Sequence, residues 1–306
     1  MAIKIWENAT KNMVSVEKDL NLPYLFHHKT ELFALDALIV AKVLGINKNK
    51  IYDQIEAFSI FYLTIHLLDD VFEDPQKFLS NFSKVKFSFL QFSALLGKQK
   101  SPNRKIQSYY KEFDTSFLIN NNDLKIEQAL ISFLICSDIS IQRILNKNKN
   151  ILNSFEIQSA TKESEGKQIN CFYTETYHNN DITTIFKIKN EGVSGESTSL
   201  IADFLNVNTI FGKKRGNYIK KALYRLGSLT QFTDDLRDYE NDKRNENANI
   251  IVSLEKKYGK KKALEEWGKM YSNEEIKMKY FLSKAKIYDH NNILNIIPFF
   301  FLFQTK

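Results

Sequence analysis

Apolar residues recur at three- and four-residue spacing along most of the chain, the period of amphipathic α-helices. The pattern is clearest over Ile51 to Phe72, where Ile51, Ile55, Phe58, Tyr62, Ile65 and Leu68 fall along one face. The same spacing predicts helices over Glu31 to Leu44, Val85 to Leu96, Ile106 to Ile119, Lys125 to Leu145 and Gln168 to Thr176. It continues over Asp181 to Leu205, Asn217 to Asp242, Lys261 to Tyr271 and Asn273 to Tyr288. Asn146 to Lys167 and Asn241 to Asn249 lack the pattern and are expected to be loops. No repeat of 20 to 50 residues is present, which disfavours a solenoid.

Composition supports long helices over short strands. The 306 residues include only Gly 10 and Pro 4, little of the punctuation that tight turns need. The expectation is an all-α chain forming a single domain over residues 1–306. No GxGxxG or GxxxxGK[ST] occurs, so the usual sequence support for a Rossmann or P-loop nucleotide site is missing. Cys136 and Cys171 lack metal-ligand spacing, and without a signal-peptide pattern they read as reduced thiols of a cytoplasmic protein. No apolar run reaches the roughly 20 residues of a spanning helix. The nearest, Ile293 to Phe303, is interrupted by Asn295 and Pro298 and reads as a last helix docking into the core, with a hydrophobic membrane-surface contact as the alternative.

A net charge of +7 suits an anionic partner. Lys- and Asn-rich runs such as Asn47 to Lys50 and Lys98 to Lys105 read as solvated connections, and no nucleic-acid motif is present, so nucleic acid is not expected as a partner. Against this basic background stand two acidic clusters, Asp69-Asp70-Val71-Phe72-Glu73-Asp74 and Asp234-Asp235-Leu236-Arg237-Asp238-Tyr239-Glu240-Asn241-Asp242. Each ends a helix-patterned stretch, and Pro75 discourages continuation after the first. On a helix Asp69 and Glu73, and Asp70 and Asp74, lie one turn apart, while Asp234, Asp238 and Asp242 form an i, i+4, i+8 row. Like charges at that spacing repel by about 0.2–0.5 kcal/mol per pair. Such a row asks for a cation, and carboxylates are hard ligands suited to Mg²⁺, which commonly bridges to substrate phosphates. The alternative for each cluster is a solvated helix face.

These motifs resemble those of the class I isoprenoid synthase superfamily. Asp69-Asp70-Val71-Phe72-Glu73 is similar to the DDxx(D/E) motif of terpene synthases. The stretch Asp234 to Asp242 has the spacing of their second motif, ND(L/I/V)x(S/T)xxxE, but with Asp at the Asn, Ser and Glu positions. With Gln231 three residues before, it also resembles the DDxxD of trans-prenyltransferases. Gln231-Phe232-Thr233-Asp234-Asp235-Leu236-Arg237-Asp238 and then Asp242 equally resemble the QLTNxLRDxxxD pattern of squalene and phytoene synthases. Lys189 stands 45 residues ahead of Asp234, near where the superfamily carries a diphosphate-binding Lys or a diphosphate-sensing Arg; Lys187 is an equal alternative. Gly192 and Gly195 in that segment suggest a kink or a close approach.

The resemblance implies an antiparallel helical bundle around a central cavity, with both clusters at its mouth. It implies metal ligation by Asp69, Asp70, Glu73, Asp74, Asp234, Asp238 and Asp242, with three Mg²⁺ ions or Mn²⁺ in their place. Gln231, Arg237, Lys243 and Arg244 join Lys189 in holding a prenyl diphosphate, and Asp69, Asp70, Lys189 and Arg237 carry the catalytic roles. The implied activity is that of a terpene synthase, a lyase that ionises farnesyl or geranylgeranyl diphosphate and resolves the carbocation to a terpene. Aromatic faces stabilise cations, and Phe58, Phe61, Tyr62 and Phe232 are available, although each reads first as core packing. Neither the GGKxxR-like segment nor the Arg pair of chain-elongating enzymes is present, which weighs against a trans-prenyltransferase and leaves head-to-head coupling open. Homodimers are common in the superfamily. The non-enzyme alternative is a helical scaffold or pseudoenzyme.

Overall fold

The computed structural model describes residues 1–19, 32–47, 51–73, 121–147, 157, 159–161, 163–168, 171 and 181–288. The helices expected over 85–96 and 106–119, most of that over 168–176 and the apolar run 293–303 lie outside the described residues. Every described element is helical, and the described residues include no strand. None of their helices is long and apolar enough to cross a membrane. The chain gathers into two compact units, Met1–Ala34 with Tyr52–Lys162 and Leu35–Ile51 with Glu163–Lys306.

In the first unit α1 (Ala2–Asp19), α3 (Tyr52–Glu73) and α4 (Asn121–Lys147) pack on one another, and α2 (Leu32–Val43) carries the division between the units. Ile5, Ala9, Met13 and Val16 make the buried face of α1, a helix absent from the sequence expectation although its spacing is helical. The expected stripe of α3 is only part of its buried surface. Ala57, Ile60, Phe61 and Leu63 are buried as well, so the helix is enclosed on all sides over this stretch. Ser59 and Thr64 are tolerated there because their hydroxyls donate to the carbonyls of Ile55 and Ile60, at 2.8 and 2.9 Å. Phe58 and Phe61 are core residues, as their first reading held.

The second unit is built around α8 (Lys213–Arg237). Before it run α5 (Ile182–Ile185), a π-helical segment (Phe186–Gly195), α6 (Glu196–Phe204) and α7 (Val207–Phe211); after it come α9 (Tyr239–Asn245), α10 (Ile250–Tyr258) and α11 (Lys260–Lys284). Ile219, Ala222, Leu223, Leu226, Leu229 and Phe232 line the buried side of α8. Phe232 is fully enclosed, with Phe186, Trp267 and Tyr271 at 5.7, 6.3 and 6.2 Å between ring centroids, and its carbonyl accepts from Trp267 Nε1 at 3.2 Å. It is a core residue and not a cavity wall. The helices expected over 261–271 and 273–288 are one, α11. Residues 163–167, expected to be loop, are helical.

Candidate functional site

The π-helical segment places Lys189 where α8 ends. Wide helical turns of this kind are rare and frequently occur at functional sites. Two glycines explain how the segment seats. A Cβ on Gly192 would collide with Cys171 Sγ, and one on Gly227 of α8 would collide with the Ser194 carbonyl and come within 2.6 Å of Thr198 Oγ1. The close approach expected from Gly192 is therefore real, and Gly227 supplies its counterpart on α8. Arg225 ties the segment to α11, donating to Glu191 at 2.9 Å and to the buried Glu274 at 2.8 Å.

The four aspartates of the second cluster face two ways. Asp235, with 1% of its side chain exposed, accepts from the backbone N–H of Ile250 at 3.0 Å and from Gln231 Nε2 at 3.1 Å, and pairs with Lys189 Nζ at 3.4 Å. It thus caps the N-terminus of α10, where the helix dipole favours negative charge. Lys189 also donates to the Ala248 carbonyl at 2.7 Å. Lys187 is exposed, so of the two lysines Lys189 reaches the cluster. Gln231 accepts from Ser194 Oγ at 2.6 Å and completes a chain from the π-helical segment to Asp235.

Asp234 and Asp238 are open, with 38% and 37% of their side chains exposed, and Arg237 bridges them. Its guanidinium donates to Asp234 Oδ1 and to both oxygens of Asp238, at 2.9 Å from Nε and 2.6 Å from Nη2. Partial desolvation pushes the Asp234 carboxyl up to about 6, against the pull of Arg237 and with the repulsion of Asp238.

The expected straight row of three is altered. The helix stops at Arg237, Asp238 adopts φ −91° and ψ 2°, and α9 starts at Tyr239. Asp242 is turned inward, accepting from Asn249 Nδ2 at 2.9 Å and Asn247 Nδ2 at 3.3 Å. Asn249 is the residue that sequence reasoning missed. Fully buried, it donates to the Asp235 carbonyl at 2.7 Å and accepts from the N–H groups of Ile251 and Val252 as the N-cap of α10. An Asn directly before Ile250-Ile251-Val252 is the sequence signal that marks it.

Of the remaining expected residues, Lys243 is bound to Glu255 at 2.8 Å and lies near Tyr239 Oη, and Arg244 is exposed. Asp69, Asp70 and Glu73 occupy the last turns of α3, where only the helical backbone is described. Asp74 lies outside the described residues. Among the described residues no three His, Cys, Asp or Glu side chains group closely enough to hold a metal by themselves. Asp234 and Asp238 are the carboxylates of this cluster exposed enough to accept a hard cation, a kind of ion that commonly takes one or two carboxylates together with water and phosphate oxygens. Comparison with family models, with curated proteins and with solved structures found no match to this chain.

Proposed function

We propose that this protein is a Mg²⁺-dependent class I isoprenoid synthase that ionises a prenyl diphosphate in the manner of a terpene synthase. The observation that carries this reading is the convergence of Lys189 and Arg237 on Asp234, Asp235 and Asp238 at the end of α8. Asp234 and Asp238 would hold the metal, which when bound supplies Lewis-acid stabilisation of the departing diphosphate. Arg237 exchanges its carboxylate partners for diphosphate oxygens. Lys189 adds positive charge, held in place by Asp235 and the Ala248 carbonyl. Fixed charges aimed at developing negative charge lower the barrier without reorganising as the bond breaks.

Head-to-head coupling of two prenyl diphosphates is the second reading, favoured by the run Gln231 to Asp242. The test is incubation of the protein with geranyl, farnesyl and geranylgeranyl diphosphates, with and without Mg²⁺ and isopentenyl diphosphate, followed by analysis of hydrocarbon and diphosphate products. Mg²⁺-dependent hydrocarbon or alcohol from a single substrate supports the first reading. A C30 or C40 product supports the second, and longer diphosphates formed only with isopentenyl diphosphate indicate elongation. Absence of any Mg²⁺-dependent product rejects the proposal and leaves the scaffold reading.

A further inference from the structure

The corner between α10 and α11 concentrates positive charge. Lys256 and Lys257 close α10, Gly259 turns the chain at φ +80°, and Lys260, Lys261 and Lys262 open α11; all five side chains are exposed. Lysines in the last turn of a helix complement its dipole, whereas three in the first turn oppose it. No acidic residue lies in the first turn of α11 and no side chain caps it.

Several lysines elsewhere in this unit are paired with carboxylates. Lys220 binds Asp203, Lys269 binds Glu266, Lys277 binds Glu274 and Lys279 binds Glu275. At the corner, among the described residues, no carboxylate comes within ion-pair distance of any of the five. Glu255, the acid nearest in sequence, is engaged by Lys243 and by Tyr239 Oη. The corner also presents hydrophobic surface. Tyr258, 39% exposed, has the Lys257 and Lys262 ammonium groups each 5.2 Å from its ring centroid, and Leu264 one turn on is 46% exposed.

We infer that this corner docks the protein on an anionic bilayer surface. Five exposed ammonium groups without a carboxylate in ion-pair distance, on long flexible stems, suit a diffuse layer of lipid phosphates, and Tyr258 and Leu264 suit the boundary between headgroups and acyl chains. A nucleic-acid footprint would instead extend basic residues along a helix face or groove, whereas here α11 continues from Leu264 into Glu265 and Glu266. The inference does not depend on the proposed chemistry of the aspartates.

The test is co-sedimentation of the full chain with vesicles of phosphatidylcholine alone and with phosphatidylglycerol added, at about 0.1 M salt. Binding is expected only to the anionic vesicles and is lost at about 1 M salt, where screening is nearly complete. Each lysine neutralised lowers the partition coefficient about fivefold. A variant with all five corner lysines changed to Gln therefore loses binding by about three thousandfold, while Lys→Arg at the same positions retains it and Lys269→Gln leaves it unchanged. Circular dichroism verifies that each variant is folded, and the Lys→Arg set with the salt series decides the matter if the Gln variant is not. Equal binding to neutral vesicles, undiminished binding by the folded Gln variant, no binding by the parent chain, or tighter binding to an RNA or DNA duplex at the same salt each overturns it.

Discussion

At the end of α8, the outer pair Asp234 and Asp238 and the inner pair Asp235 and Asp242 belong to one run of nine residues yet meet opposite surroundings. The outer carboxylates are partly exposed, and Arg237 pairs with both. The inner ones are committed to Lys189, Gln231 and Ile250 N–H on one side and to Asn247 and Asn249 on the other. Exposed ion pairs contribute about 0–1 kcal/mol to stability, whereas breaking a buried pair by removing one partner costs about 3–5 kcal/mol. One short acidic segment thus contains both a buried structural pair and a partly exposed pair.

The sharpest way to break this contrast is at Asp235. Asp235→Ala leaves Lys189 without its carboxylate and α10 without its buried acceptor, so unfolding free energy falls by about 3–5 kcal/mol; urea denaturation followed by helical dichroism measures it. An unchanged midpoint would erase the distinction between the faces. The double change Asp234→Ala, Asp238→Ala acts in the opposite sense, with stability altered by less than about 1 kcal/mol. On the proposed function it lowers Mg²⁺-dependent turnover by about 10²–10³-fold, read as product formed per unit time from the prenyl diphosphate that proves to be the substrate.

Glu56 in the first unit extends the comparison to a buried carboxylate with weaker compensation. Burial raises its carboxyl to about 7, Lys147 opposes that shift, and Asp53 adds to it. Between about pH 4.5 and 7 the folded chain therefore holds a proton that the unfolded chain has released. The contribution of Glu56 to stability is greatest below that window and falls by about 1–3 kcal/mol across it. Glu56→Gln flattens the decline, which thermal melts across the window detect. The smallest expected effect is at Asn249. Asn249→Ala removes the cap of α10 and a donor to Asp242, costing about 1–2 kcal/mol, and is checked by the same urea titration beside Asp235→Ala.

Much of the framework was legible because helix periodicity is a local property. The stripe through Ile55, Phe58 and Ile65 predicted α3, and the same spacing over Asn217 to Asp242 predicted most of α8, whose Leu226, Leu229 and Phe232 are buried. The acidic run itself was equally visible. What misled was its continuity: ideal helical spacing aligns Asp242 with Asp234 and Asp238, but the break at Asp238 and the two asparagines after α9 rotate its carboxylate inward. The choice between Lys187 and Lys189 turned on the π-helical segment, whose path depends on the contact of Gly227 with the Ser194 carbonyl. The Arg225 link between Glu191 and Glu274 joins residues far apart in sequence and left no trace in any local pattern.

By itself, the sequence determined the helical class and the presence of acid-rich stretches at helix ends, since both follow from residue types at fixed local spacing. The tertiary structure alone decided which carboxylates of the second cluster are buried as structural caps, which stay open to a ligand, and which lysine meets them. The orientation of a side chain at a helix end depends on the packing of neighbouring helices, and those neighbours come from distant parts of the chain.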